Sequence, residues 1–301
     1  MAPPAPPRSA PAKSGLPMAL GAYLIWGFLP LYLLLVRTVP AFEFVGWRIV
    51  FTLPLCLVVI ALRRQGADLR AALANRRVML QLALSAVLIG INWLIYVAAI
   101  QDGHVYAASL GYYINPLVNV LAGTLFLKEK LSARQWAAAG LAAAGVSLLA
   151  WDAWQMLWIS LSLAVSFSAY GLVRKLTPVG SVPGLTIESA ILLLPALGIA
   201  AWYAASPAGT AFGQDFGLSL AIAGGGVVTA VPLTLFAIAA RRMDYSTLGF
   251  VQFIAPTIVF LLGLTVFGEA LSAVKLACFG LIWAACALFV WDLWARRGAA
   301  S

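Results

Sequence analysis

The sequence predicts an all-α integral membrane protein of ten transmembrane helices, arranged as two inverted repeats of five helices. Three observations predict it: the composition, the lengths of the apolar stretches, and an internal repeat whose two copies differ in basic residues. Hydrophobic residues make up 63% of the 301 residues and charged residues 10%. A soluble domain has roughly 25% charged residues. So little polar surface could not cover a fold in water, and lipid is therefore the expected solvent.

Ten apolar stretches are long enough to span a bilayer. A transmembrane helix needs about 20 mostly apolar residues to cross about 30 Å of hydrocarbon. The predicted spans are 17–37, 43–62, 78–100, 105–127, 133–151, 154–174, 183–204, 216–240, 245–267 and 272–292. Because some of the connecting loops are very short, we expect neighbouring spans to form antiparallel hairpins.

The chain outside these spans is expected to form a tail at each end. The sequence MAPPAPPRSAPAKSG is rich in proline, which removes backbone donors and prevents helix formation. The apolar run that follows is long enough to span and has no small-x-small cleavage site after it, so we interpret it as a retained first helix. The predicted organisation is a disordered tail at 1–15, five-helix repeats at 16–152 and 153–293, and a C-terminal tail at 294–301.

The basic residues predict how the spans are oriented. If the N-terminus is cytoplasmic, sixteen of the nineteen lysines and arginines fall on the cytoplasmic side. The exceptions are Arg37 and Lys275, which fall outside, and Arg48, which falls within a span. Positively charged loops remain cytoplasmic, so we expect both termini to be cytoplasmic in a bacterial-type plasma (inner) membrane. The distribution also favours ten spans, since one missed span would reverse the pattern after it.

Two stretches of the chain that lie 140 residues apart are similar. Residues 114–145 align without gaps onto 254–285, and 12 of 32 positions are identical, including a proline, two glycines and the run Glu-x-Leu-Ser. The offset equates the fourth and fifth spans with the ninth and tenth, so each half has five spans and the second half is upside down. Inverted repeats are typical of alternating-access transporters, whose substrate site lies between the repeats near the midplane.

Six segments of the chain resemble a known family. They are NWLIYVAAI (92–100), ASLGYYINPLVNVLAGTLFLKEKL (108–131), SFSAYGLVRK (166–175), GLTIES (184–189), VVTAVPLTLF (227–236) and STLGFVQFIAPTIVFLLGLTVFGE (246–269). On these segments the chain resembles the RarD-type members of the EamA branch of the drug/metabolite transporter superfamily. The resemblance implies ten helices in two inverted repeats and a permease that exports small metabolites or drugs. The family pattern has His-Arg where this chain has Trp47-Arg48, so no histidine-dependent proton role carries over to that place.

Two charged residues inside predicted spans are candidates for function. Arg48 costs at least about 2.5 kcal/mol within a membrane, so it should face a partner or water. It could anchor an anionic or carbonyl-bearing substrate, or it could pair structurally with Glu43 or reach back to the surface. Glu188 is the carboxylate that lies clearly inside a predicted span. It could carry a coupling proton, or it could hydrogen-bond to a neighbouring helix.

Polar and aromatic residues on the spans that should converge between the halves are the candidate substrate-binding residues. Each polar side chain costs free energy in lipid unless it is paired, so it either lines a cavity or joins two helices. Together with Arg48, the candidates are Tyr23, Trp26, Asn92, Trp93, Tyr96, Tyr112, Asn115, Tyr170, Thr229 and Gln252. Aromatic walls with a few amides suit uncharged or zwitterionic organic molecules, and inorganic ions are not the expected cargo.

The repeated prolines and the loops that follow them carry structural signals. Pro116 and Pro256 each remove a backbone donor within a span, so they are candidate hinges, although a tolerated bend explains them equally well. Ser132 and Gln135 fit a capping box at a helix start. Two repeated glutamates follow the fourth and ninth spans, and we interpret both as loop structure. They are Glu129 and Glu269.

No cofactor, metal site or enzymatic activity is expected. The single histidine and the three cysteines lack metal-ligand spacing, and no nucleotide-binding loop or hydrolase motif occurs. The expected partners are a small-molecule substrate and the lipid bilayer, with no nucleic acid; a homodimer is left open. The alternatives are a passive facilitator or lipid scramblase, and a membrane-embedded lipid enzyme. The last is disfavoured because the acidic residues are scattered singly.

Overall fold

The structure is a computed structural model that describes residues 14–102, 104–152, 154–268 and 270–299. Most of the predicted N-terminal tail, together with Glu269 and the last two residues, lies outside the described residues. The described chain is helical and has no strand. Its helices are α1 (Leu16–Leu33), α2 (Ala41–Leu62), α3 (Gly66–Ala74), α4 (Arg76–Gln101), α5 (Val105–Phe126), α6 (Ala133–Asp152), α7 (Leu157–Leu176), α8 (Ser181–Ala205), α9 (Phe216–Arg242), α10 (Tyr245–Gln252), α11 (Ile254–Thr265) and α12 (Ala273–Ala299).

Eight helical stretches in the described part of the chain are long and apolar enough to cross a membrane. They are Leu16–Val36, Ala41–Leu62, Arg76–Ile100, Trp154–Leu176, Ser181–Ala205, Phe216–Arg242, Tyr245–Thr265 and Ala273–Arg296. The long helices α5 and α6 are less apolar, because α5 contains two asparagines and α6 begins with the polar sequence ARQ. Apolar side chains also cover the outside of the bundle, as expected for a protein whose solvent is lipid.

Three features differ from the predicted spans. Helix α3 is a short segment that the sequence analysis did not predict, between the second and third spans. The predicted ninth span is two helices, α10 and α11, which meet at Phe253. The missing N–H of Pro256 leaves the Gln252 carbonyl without its helical partner at this break. Helix α12 continues to Ala299, beyond the predicted end at residue 292.

The helix ends follow the local chemistry of the sequence. The predicted capping box at the start of α6 is confirmed: Gln135 N donates to Ser132 Oγ (3.0 Å), and Ser132 N donates to Gln135 Oε1 (2.9 Å). Asn75 caps α4 by accepting from the backbone of Arg77 and Val78. These caps satisfy backbone donors that have no partner within the helix.

The packing of the helices follows a regular scheme. The extensive pairs are α2 with α8, α6 with α12, α4 with α7, α1 with α9, α5 with α7, α1 with α11, α2 with α9 and α5 with α10. Helices α6 and α12 form a lateral pair. At one end of it, the buried Asp292 accepts from Ser132 Oγ (2.9 Å) and forms ion pairs with Arg134 and Arg296.

One end of the bundle is tightly closed. We call this end the N-terminal face, because Gly15 packs there against Ala239 and Met243 at the end of α9. Lys175 Nζ donates to the carbonyls of Ala240 and Met243, both at 2.7 Å. Arg241 donates to the Val179 carbonyl at the same end. These bonds join the ends of α7 and α9 around the start of α1.

Candidate functional site

A small cavity lies at the centre of the bundle, between α2, α4, α7, α8 and α9. About 10 Å³ of it is open to the centre of a water-sized sphere, which is room for about one water molecule. Its lining combines aliphatic side chains with a few polar and aromatic groups. The lining residues are Ile49, Thr52, Ile89, Trp93, Tyr170, Leu185, Glu188, Ser189, Leu192, Thr229 and Leu233. Four of the sequence-based candidates, Trp93, Tyr170, Glu188 and Thr229, therefore share one cavity.

Arg48 contacts two residues of this lining. Its Nε donates to Thr229 Oγ1 (2.8 Å), and its guanidinium carbon lies 4.8 Å from the centroid of the Trp93 ring. The sequence left open an ion pair between Arg48 and Glu43, and the structure contradicts that alternative. Glu43 instead accepts from Trp47 Nε1 (3.1 Å), Thr210 Oγ1 (2.5 Å) and the backbone N–H of Ala211 (2.8 Å). Five residues along a helix turn the side chain by about 140°, so these two side chains leave α2 on different faces.

Glu188 lies in a buried ion pair that sequence reasoning did not find. Arg174 Nε lies 3.5 Å from Glu188 Oε1, and the two residues are 2% and 1% exposed. Glu188 also accepts from Ser85 Oγ and, at 3.5 Å, from Tyr170 Oη. A Cβ on Gly184 would lie 2.0 Å from Arg174 Nη1, so the absence of a side chain at Gly184 makes room for the guanidinium. Glu188 is thus linked to both α4 and α7.

A second polar cluster joins α5 to α10. Gln252 Nε2 donates to Asn115 Oδ1 (2.6 Å), and Asn119 Nδ2 donates to Gln252 Oε1 (2.7 Å). Tyr23 Oη on α1 donates to the same Gln252 oxygen at 3.5 Å. Asn115 Nδ2 donates to the Ala164 carbonyl (2.8 Å), which adds α7 to the cluster. All four polar residues are buried and bonded to other helices, and none of them lines the cavity.

The other candidates lie close to these two clusters. Asn92 Nδ2 donates to the Leu163 carbonyl (2.8 Å) and to Ser166 Oγ (2.9 Å), so it joins α4 to α7. Tyr96 and Tyr112 are in edge-to-face contact, with their ring centroids 5.9 Å apart. Both phenols are electrostatic neighbours of Arg48. Tyr112 is half-exposed.

An aromatic cluster lies next to the cavity, on helices that reach the N-terminal face. Trp26 lies 5.6 Å from Phe167 and 5.8 Å from Phe236, measured between ring centroids. Tyr23 and Tyr170 pack against Phe236 at 6.4 and 6.3 Å. These rings come from α1, α7 and α9. Phe167 and Phe236 were not among the candidates, because isolated phenylalanines in apolar spans give no signal of their position.

The two repeated prolines differ in their local structure. Helix α5 runs through Pro116 without a break, whereas the chain is interrupted before Pro256. The Pro116 carbonyl faces Gly249 on α10, where an added Cβ would lie only 2.6 Å away. The backbones of α5 and α10 therefore meet at Pro116, next to the amide cluster.

Glu129 lies in a loop, as expected from the sequence, but its carboxylate contacts a helix of the other half. Glu129 Oε1 accepts from the backbone N–H of Tyr245 (2.6 Å), and Oε2 accepts from that of Ser246 (2.9 Å). The Ser246 hydroxyl donates to Oε2 as well. A negative charge at this place also complements the dipole of α10. The carboxylate therefore caps α10 on the N-terminal face.

No group of three or more histidine, cysteine or acidic side chains suited to a metal occurs in the part of the chain that the structure describes. Cys56 and Cys278 are buried, and Cys286 is half-buried. The contacts described above show what the central groups offer: hydrogen bonding, charge and aromatic contact.

Comparison with known proteins identifies the family. Residues 13–151 match the model of the EamA-like transporter family. The chain is 40% identical over 286 residues to the uncharacterized transporter PA0485 of Pseudomonas aeruginosa, covering 95% of this chain and 96% of that protein. It is 41% identical over 281 residues to protein RarD of Escherichia coli K12, covering 93% of this chain and 95% of that protein.

The crystal structure of another protein superimposes on this chain with a TM-score of 0.71. Its sequence identity is 20%, and the match covers 92% of this chain and 97% of that one, so the two share a fold. The long apolar helices, together with the similarity to these relatives, show that the chain is a multi-pass membrane protein. It belongs to the RarD-type proteins of the EamA-like transporter family, within the drug/metabolite transporter superfamily.

Proposed function

We propose that the protein is a secondary transporter that moves small organic molecules across the plasma (inner) membrane by alternating access between two inverted five-helix repeats. The main observation that supports this proposal is a central cavity lined by both halves of the chain. Helices α2 and α4 from the first half and α7, α8 and α9 from the second half line it. A site between two repeats becomes accessible from alternate sides when one repeat rocks against the other.

The helix pairing supports the inverted repeat. The 140-residue offset equates α1 with α7, α2 with α8, α4 with α9, α5 with α10 and α11, and α6 with α12. Exchanging the halves in this way converts the pair α4–α7 into α9–α1 and the pair α5–α7 into α11–α1. It also converts α2–α9 into α8–α4, and all of these pairs occur. In this proposal α5 and α6 cross the membrane too, which gives ten spans.

Counterflow in proteoliposomes tests the transport function. Metabolites that differ between the media of cells with and without the protein supply the substrates to be tested. We expect a labelled metabolite of this set to accumulate transiently in vesicles that are preloaded with the unlabelled compound, because a carrier exchanges its substrate across the membrane. The metabolite should be recovered chemically unchanged. Absence of counterflow for every such metabolite would contradict the proposal.

An uncoupled facilitator is the second candidate function. Ion coupling in a membrane usually requires a buried ionisable group that can exchange its ion. Here the buried Glu188 is already neutralised by Arg174 and bonded to Ser85, which favours uncoupled movement. Repeating the flux measurement with and without a pH gradient separates the two cases, provided that the substrate's charge is constant over that pH range. Under that condition only a proton-coupled carrier concentrates substrate in response to the gradient.

Cysteine labelling tests the proposed orientation, in which both termini are cytoplasmic. In a variant without the native cysteines, Ala67→Cys should be protected from an impermeant thiol reagent in intact cells. Ala208→Cys should be labelled, because it lies in the loop between α8 and α9 at the opposite face. Both alanines are exposed, and Ala208 is preferable to its neighbour Gly209, whose φ of +72° disfavours a side chain. Labelling of Ala67→Cys from outside would reverse the orientation.

A further inference from the structure

Arg48 is a cation without a carboxylate partner among the described residues. Its side chain donates from Nε to Thr229 Oγ1 and lies over the aromatic face of Trp93. A guanidinium has five N–H groups, and only one of them is used here. The terminal nitrogens form no hydrogen bond to the part of the chain that the structure describes. They present the planar fork that binds an anionic oxygen pair in bidentate geometry.

The backbone of α9 fixes Arg48 in this place. A Cβ on Gly226 would lie 2.7 Å from the Phe51 carbonyl carbon, and one on Gly225 would lie 3.2 Å from Arg48 Cβ. These glycines therefore allow α9 to approach α2 closely. The Thr229 hydroxyl donates to the Gly225 carbonyl (2.7 Å), so its oxygen remains free to accept from Arg48. Arg48 of the first half is thus held by a residue of the second half.

Neither Glu43 nor Glu188 forms an ion pair with Arg48. Glu43 is bonded to Trp47 and to the loop before α9, and Glu188 is paired with Arg174. The other electrostatic neighbours of Arg48 are the phenols of Tyr32, Tyr96 and Tyr112, which are neutral. An unpaired cation inside a membrane costs free energy, and a retained one indicates a ligand or pathway. The missing negative charge is therefore expected to come with the ligand.

We propose that Arg48 binds the anionic group of the substrate, so that the cargo is an organic molecule with a carboxylate, sulfonate or similar anionic group. This inference rests on the proposed transport function and names its substrate class. The apolar or aromatic body of the cargo lies along Trp93 and the aliphatic cavity wall, as the halves move apart. Uncharged molecules, which the sequence alone allowed, are excluded from the class.

Two pairs of matched probes test this proposal on the purified full-length protein. They are benzoate with benzamide and benzenesulfonate with benzenesulfonamide, each titrated by calorimetry in detergent at neutral pH and fixed salt. The members of a pair have nearly the same shape and differ in charge. We expect each anion to bind at least about tenfold more tightly than its amide, the ratio expected for a hydrogen-bonded charge pair. Arg48→Gln should bring this ratio to about one, and Arg48→Lys should retain part of it.

The exposed Arg37 provides the matched control, since Arg37→Gln removes the same charge away from the cavity. Without any probe, Arg48→Gln should be as thermally stable as the wild type or more so, because it removes an unpaired charge from the bundle. Three outcomes would overturn the proposal: an anion preference that survives Arg48→Gln, no anion preference in either pair, or a large loss of stability in Arg48→Gln.

Counterflow of benzenesulfonate separates this proposal from the transport function, because a permanent anion does not cross lipid unaided. Anion-selective binding without counterflow would support the Arg48 site and contradict the transport function. Counterflow of benzenesulfonate that continues unchanged in Arg48→Gln would keep transport and contradict the site.

Discussion

Replacing Arg174 with glutamine is expected to lower the free energy of unfolding by about 3–5 kcal/mol, because removing one partner of a buried ion pair leaves the other charge uncompensated. Glu188 would then retain only the hydroxyls of Ser85 and Tyr170 as partners. Thermal or denaturant unfolding in detergent measures the loss. The matched control is Arg70→Gln on α3, where the arginine is exposed and its replacement should have little effect.

The double variant Arg174→Met/Glu188→Leu distinguishes pairing from packing. It removes both charges, so it should be more stable than either Arg174→Gln or Glu188→Gln, although it contains more substitutions. A double variant that loses the sum of the two single losses would mean that the two side chains stabilise the fold independently. The ion-pair interpretation would then be wrong.

Removing the Glu129 carboxylate is expected to have the second large effect. Glu129→Ala leaves the backbone N–H groups of Tyr245 and Ser246 without their acceptor, at a cost of about 1–3 kcal/mol. If the N-terminal face is closed by this contact, its loss also shifts the protein towards opening at that face. Hydrogen–deuterium exchange over the start of α10 should therefore become faster, together with a lower unfolding temperature.

Two neighbouring residues sharpen the Glu129 experiment. A Cβ on Gly123 would lie 2.5 Å from Glu129 Oε2, so Gly123→Ala should displace the carboxylate and produce the same effect without removing it. Lys130→Ala changes the exposed neighbour in the same loop and should leave the exchange at α10 unaltered. Unchanged exchange in both Glu129→Ala and Gly123→Ala would show that the cap does not hold α10.

The long apolar helices could be predicted from the sequence because hydrocarbon thickness sets the length of an apolar run. Helix α3 could not, since it has nine residues, including Asp68 and Arg70, and lies outside the predicted spans. The break at Phe253 was predicted only as a bend. The repeat gives both prolines the same signal, so the sequence did not show that the chain is interrupted near Pro256 and continuous through Pro116.

The site was partly predictable for a related reason. Sequence shows which polar residues lie within spans, and the structure places Trp93, Glu188 and Thr229 at the cavity and Arg48 in contact with its lining. The sequence did not show side-chain direction. From the sequence, Arg174 was therefore counted among the charges at the cytoplasmic end of a helix. In the structure its side chain turns inward over Gly184 and pairs with Glu188. Asn92 and Asn115 were left between cavity lining and helix contact, and the structure gives both of them hydrogen bonds to α7.

The narrowness of the central cavity limits the movement of protons through the protein. A proton crosses a membrane protein by hopping along an unbroken file of water molecules, and the hydrocarbon layer is about 30 Å thick. A space that holds about one water, bordered by aliphatic side chains and by the rings of Trp93 and Tyr170, interrupts a file of waters through the centre of the bundle. In this conformation we therefore expect protons to find no path through the central cavity, which helps the membrane to keep its electrochemical gradient while no cargo is bound.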